Sequence, residues 1–126
     1  MSTFTYRPEV AMLSHAFNEG VLVCTVQEDP RIQRRAELAN LILDLARVHQ
    51  PAPVVVVIDD AAATPATASA ILRARSQCTE LGVVLSVASH SAPLRRLLQD
   101  GEDPTLTRLV IHTRIDTAID AATQTL

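Results

Sequence analysis

Two adjacent carboxylates, Asp59 and Asp60, follow directly on the apolar run Val54 to Ile58. Paired carboxylates can hold Mg²⁺ or exchange protons with a substrate. They equally suit strand-end and turn chemistry, which Asp favours. A few residues on, Thr64, Thr67 and Ser69 place hydroxyls around an expected helix start. Hydroxyls there cap the helix. A phosphate on one of them would add up to about two negative charges beside the positive end of the helix dipole. The carboxylates therefore point to acid–base or cation chemistry, and the hydroxyls to a cap or a switch.

Other chemistries lack their residues. His15, His49, His90 and His112 are scattered, with no ligand partner one helical turn away, so they read as surface or loop histidines and no metal site is expected. Cys24 falls in an apolar run and Cys78 on the apolar side of an expected helix, which suits reduced core thiols better than nucleophiles. The three glycines, Gly20, Gly82 and Gly101, each sit at a turn, so there is neither a Gly-rich phosphate loop nor a Gly-x-Ser-x-Gly elbow. All eleven basic residues are Arg, which removes Schiff-base chemistry and a phosphate-loop lysine. A phosphorylation receiver also has an acidic strand end, but its acidic pair lies near the N-terminus and it uses a late Lys; this chain has no Lys. No cofactor and no enzymatic activity are expected.

The elements that would position these residues come from hydropathy and turn chemistry. At 126 residues, with 48% apolar and 2% aromatic content, residues 1–126 read as one domain with a core of Val, Leu, Ile and Ala. The net charge of −3 leaves no footprint for nucleic acid or an anionic membrane. No apolar run approaches the roughly 18 residues of a membrane span, and Met1 to Gly20 lacks the shape of a signal peptide. A cytoplasmic location is the expectation, in keeping with the two lone cysteines.

Residues 1–9 read as a short edge strand or loose arm. Val10 to Phe17 and Val21 to Val26, joined by Asn18-Glu19-Gly20, suggest a hairpin. Asp29 suits an N-cap and Pro30 a first helical residue, for a helix running to His49 with Leu38, Leu41, Ile42, Leu45 and Val48 on its apolar face. The short β-branched run Val54 to Ile58 reads as a central strand buried on both faces. The next helix places Ala70, Ile71, Ala74, Cys78 and Leu81 inward, with Arg73 outward, and stops at Gly82. Val83 to Ala88 and Leu109 to Ile111 read as further strands. Ser91 caps a helix with Pro93 in its first turn, and Thr113 to Asp116 resembles a capping box for a final helix carrying Ile115, Ala118, Ile119 and Ala122. Alternation after the hairpin implies an α/β fold: a mixed, mostly parallel sheet with about four α-helices.

This order and spacing resemble STAS domains, and within them the bacterial anti-sigma-factor antagonists, over about Val21 to Ala122. VLVCTV looks like the family's early strand, QEDP like a shortened acidic turn, AELANLILDL like the first helix and VVVVID like the central strand. AILRARSQCTELGVVLSVASHSAPLRRLL and LVIHTRIDTAIDAA are similar to the second half and the usual ending. Where the family carries Asp-Ser-Ser-Gly, this chain has Thr64-Pro65-Ala66-Thr67, and the family's phosphorylated Ser falls on Ala66. Thr67 and Thr64 are the neighbouring hydroxyls that could replace it.

The resemblance implies a non-enzymatic regulator that docks on an anti-sigma factor or serine kinase to control transcription. Its contacts would involve Glu28, Asp29, Asp59, Asp60, Thr64, Thr67 and Arg73. Two alternatives stand beside it. One is a sensor of a small ligand or nucleotide, bound in the strand-end crevice. The other is an unswitched assembly subunit. A homodimer is compatible with each.

Overall fold

In a computed structural model, residues 12–106 and 108–124 are described; the proposed N-terminal arm lies outside them. The chain forms β1 (Leu13–Asn18), β2 (Val21–Val26), α1 (Arg35–His49), β3 (Val54–Ile58), α2 (Pro65–Glu80), β4 (Leu85–Ser89), α3 (Ala92–Asp100), β5 (Ile111–His112) and α4 (Ile115–Thr123). The fold is α/β, with one five-stranded sheet in the order β1-β2-β3-β4-β5. β1 pairs antiparallel with β2, and the later neighbours pair in parallel. Glu19 and Gly20, both at positive φ (53° and 82°), make the tight turn between β1 and β2.

Each strand–helix–strand crossover steps one place in the same direction. Right-handed crossovers that advance the same way put their helices on one face. α1, α2 and α3 accordingly share the larger core with Leu22, Cys24, Val26, Val54, Val56 and Ile58. α4 follows the last strand and lies on the opposite face, where Ala118 and Ala122 meet Val55, Val57 and Ala88. All five residues of β3 are therefore buried, alternately toward the two helix layers. Burying each such side chain is worth roughly 1.5–3 kcal/mol, so β3 anchors both layers.

Several local expectations are met at their chemistry. Thr64 caps α2 with Pro65 in its first turn, and Ser91 caps α3. Gly82 closes α2 at φ +75°. Its N–H donates to the Thr79 carbonyl and that of Val83 to the Cys78 carbonyl, a Schellman arrangement. Both cysteines are buried and unbridged.

Others are corrected. Asp29 does not cap α1: its Oδ1 accepts from the Arg31 N–H at 2.8 Å. Arg31 sits at φ +58°, which halts helical propagation, and α1 begins only after a 3-10 turn over Ile32–Arg34. The inward face of α1 is Leu38, Ala39, Ile42, Leu43 and Ala46, whereas Leu41 and Val48 are exposed. The buried face is rotated toward Leu43, on a helix that packs against α2. β4 starts at Leu85, leaving Val84 exposed, and β5 is the two-residue strand Ile111–His112 rather than Leu109 to Ile111. Thr113 forms no capping box; Arg114 occupies the N-cap of α4 without a side-chain bond, and Asp116 accepts from Thr117 N–H instead. Arg75 is buried, on the same helix as the exposed Arg73.

Candidate functional site

The parallel strands end along one edge of the sheet, where open α/β sheets bind ligands. Val26, Ile58 and Ser89 lie level there, and the Asp59 N–H donates to the Val26 carbonyl at 3.0 Å. The segments that leave the strands carry Glu28 and Asp29, Asp59 and Asp60, His90 and Ser91, and Thr113. The two helix layers divide this edge into two surfaces.

On the α1–α2 side, Thr64 is the hub. Its Oγ1 accepts from the Thr67 N–H at 3.3 Å, closing the helix cap, and donates to Asp29 Oδ1 at 2.9 Å. The Thr64 and Thr67 hydroxyl oxygens are 3.2 Å apart. Asp29, expected as a helix cap, thus ties the β2–α1 connection to the start of α2 instead. Thr64 is half-buried and Thr67 fully buried, so of the two hydroxyls expected as phosphate acceptors only Thr64 reaches the surface in this conformation.

Around this hub lies a shallow surface formed by Asp29, Arg31, Ile32, Gln33, Thr64 and Pro65. It continues along α2 past Arg35 and Ser69 to Arg73. The Arg35 guanidinium donates to Ser69 Oγ at 3.4 Å. At the start of α1, Arg34 donates to both oxygens of Glu37, at 3.1 and 2.8 Å, and holds that carboxyl below the usual carboxylate range. The apolar centre is Ile32, 74% exposed. Sequence reasoning passed over Ile32, although the signal was there: it falls outside the spacing of the α1 apolar residues.

On the α4 side, a crevice of about 260 Å³ opens between the ends of β3, β4 and β5. Its floor is Val57, Ile58, Ala88 and Ser89, and its rim holds Asp59, Asp60, His90, Thr113 and Ile115. The loop presenting His90 is fixed at several points. Ser89 Oγ accepts from the Ser91 N–H at 3.1 Å, Ser91 Oγ accepts from the Leu94 N–H at 3.2 Å, and Arg95 donates to the Ser89 carbonyl at 2.9 Å. His90, read from sequence as an ordinary loop histidine, thus shares a rim with the paired carboxylates. The strand-end argument that singled out Asp59 applies equally after Ser89 and would have found it.

The expected contact residues therefore do not form one patch. Asp29, Thr64 and Arg73 border the α1–α2 surface, with Thr67 beneath it; Asp59 and Asp60 belong to the crevice, and Glu28 is exposed on the loop after β2. Among the described residues, no three His, Cys, Asp or Glu side chains converge to hold a metal ion, and no helix is long and apolar enough to cross a membrane. In comparisons with known proteins, no family model and no curated protein matches the chain.

Proposed function

We propose that this chain is a non-enzymatic regulatory domain of the STAS type, an anti-sigma-factor antagonist. It docks on an anti-sigma factor or serine kinase through the surface at the start of α2. The observation that carries this reading is the placement of exposed Ile32 beside the Asp29–Thr64 hydrogen bond. An apolar side chain ringed by Asp29, Arg31, Arg35 and Arg73 has the make-up of an interface centre within a polar rim. The order of elements, which resembles that family, supplies the partner class.

Thr64 is the switch position in this reading. Phosphorylation would replace a hydroxyl that donates to Asp29 with a dianion facing the same carboxylate. Repulsion would then release the β2–α1 connection, and Ile32 with it. Capture on the full chain from its native cells, followed by mass spectrometry, should recover a kinase-like or other regulatory protein. Ile32→Glu and Thr64→Glu should lose that protein while keeping the native circular dichroism. Recovery of no regulatory protein, or equal recovery by both variants, would overturn the proposal.

The crevice supports a second reading, a small-ligand or nucleotide sensor that uses Asp59, Asp60, His90 and Thr113. A thermal-shift screen with nucleotides and acyl ligands separates the two. A hit abolished by His90→Ala favours the sensor, and a flat screen rejects it.

A further inference from the structure

β1 is an edge strand of a kind that soluble proteins usually protect. Its sequence, Leu13-Ser14-His15-Ala16-Phe17-Asn18, contains no Lys, Arg, Asp, Glu or Pro, and it runs for six residues beside β2, with no strand on its other side among the described residues. The opposite edge is blunted, since β5 has only two residues.

The ladder shows which way the β1 backbone points. Gln27 N–H donates to the Met12 carbonyl at 2.8 Å, so Met12 and Gln27 are a hydrogen-bonded pair in the β1–β2 register. Such pairs alternate along an antiparallel ladder, so Ser14, Ala16 and Asn18 also point their polar groups at β2. Leu13, His15 and Phe17 point theirs at the open edge, and among the described residues nothing bonds to them.

The helix above this edge is unfinished in the same place. By helical spacing Leu41, Leu45 and Val48 lie on the flank of α1 away from the buried Leu43. That flank overhangs β1: the His49 ring stacks on Phe17 at 5.1 Å and lies 6.4 Å from His15. Val48 is 76% exposed and Phe17 54%. The apolar stripe read from the sequence is thus wider than the buried face of α1, and its less covered half, with Leu41 and Val48 exposed and Leu45 partly buried, adjoins the outer edge of β1.

We infer that this edge binds a second copy of the chain, β1 against β1 antiparallel about a two-fold axis at His15. A two-fold axis perpendicular to the sheet keeps the α1 layers on one face. With His15 opposite its own copy, Leu13 faces Phe17, and all three outward residues find partners, each facing pair exchanging two N–H···O bonds. Among the described residues, a shift of one facing pair either way leaves one of the three without a strand partner. The meeting strand segments carry no formal charge, so copies of net charge −3 meet there without like charges in contact. A strand of this length spans about 20 Å, and a sheet with one helix layer stands roughly 20 Å tall. Each copy then buries roughly 400 Å², the pair about 800 Å², short of the roughly 1,000 Å² that a stable specific interface clears. The dimer is accordingly reversible. It leaves the Ile32 surface and the crevice free and does not depend on what either binds.

Sedimentation velocity on the full chain across a wide concentration range should show a monomer giving way to twice the chain mass. The Leu13, His15 and Phe17 amides should exchange slowly at high concentration and fast on dilution. Val48→Glu, at a side chain that the intrachain core does not use, should raise the dimer dissociation constant at least about tenfold. His15→Pro should do the same, because it removes an outward N–H and spares the β1–β2 ladder. Val84→Glu, a control at a distant exposed valine, should leave the dimer intact. Melting curves establish that each variant is folded. A chain monomeric at every concentration overturns the inference, as do edge amides protected in the monomer or a dimer that Val48→Glu and His15→Pro both leave unchanged.

Discussion

Removing the Thr64 hydroxyl tests whether one side chain joins two connections across the molecule. Thr64 Oγ1 makes two bonds of different kinds. The accepted bond from Thr67 N–H, at 3.3 Å, is longer than the usual N–H···O range, which places it toward the low end of measured N-cap contributions, about 0.5–1 kcal/mol. The donated bond to Asp29, at 2.9 Å, has a carboxylate acceptor but is exposed, so it contributes about 0.5 kcal/mol after screening. Thr64→Ala should therefore cost about 1–1.5 kcal/mol, a fall in Tm of roughly 3–6 °C for a domain of this size. Asp29 also accepts from the Arg31 N–H, so Asp29→Ala carries its own cost. The discriminating quantity is the coupling between the two substitutions, expected at about 0.5 kcal/mol. Urea denaturation of wild type, both single variants and the double variant measures it. Full additivity, or a Thr64→Ala effect below about 0.3 kcal/mol, would refute the assignment of Thr64 as a tie between the β2–α1 connection and α2.

Other predictions concern the core and one turn. Burial pushes the Cys24 thiol up to about 12, with Cys78 adding to the effect, and pushes Cys78 up to about 11, from an ordinary value of 9.0. The unfolded chain gives up these protons near its ordinary value while the folded chain keeps them. Stability should therefore fall as pH rises from about 9 toward 11, by at most about 1.4 kcal/mol per pH unit per thiol. Urea melts against pH should show the slope, and Cys24→Ala with Cys78→Ala should flatten it. At Gly82, φ is +75° and an added Cβ would meet nothing within 4 Å. Gly82→Ala should therefore lose about 1 kcal/mol through backbone strain alone, and Gly82→Asn less; equal melting temperatures for glycine and alanine would contradict this. Ile71 is fully buried in the main core, so Ile71→Ala should cost about 2–5 kcal/mol in the same denaturation assay.

Much of the fold was legible because its signals are local. The unbroken run Val54 to Ile58 required a strand with two covered faces, and α1, α2 and α3 on one side and α4 on the other provide them. Thr64 before Pro65, Ser91 before Pro93 and Gly82 after α2 act within a few residues of themselves, and each is found in its expected role. The misplaced boundaries fall where local chemistry was outcompeted. Asp29 has the side chain of a cap, but the positive φ of Arg31 carries the chain past the helix start, and Thr64 takes up the carboxylate. The last strand shrinks to Ile111–His112.

The candidate site divides in the same way. That the chemistry would gather where buried strands end followed from the run before Asp59 and Asp60. That these carboxylates would join His90 and Thr113 in a crevice, while Thr64 joined Asp29 on the opposite face, could not follow from spacing. It depends on which helix layer each connection enters, and hence on sheet order and crossover handedness. The α1 stripe makes the same distinction. Leu38, Leu41, Ile42, Leu45 and Val48 establish by sequence alone that one side of the helix is apolar. Only the packing of α1 beside α2 and over the edge strand β1 decides which half of that side is core. The hydrophobic effect selects for area removed from water, and a helical repeat does not say which neighbour will cover it.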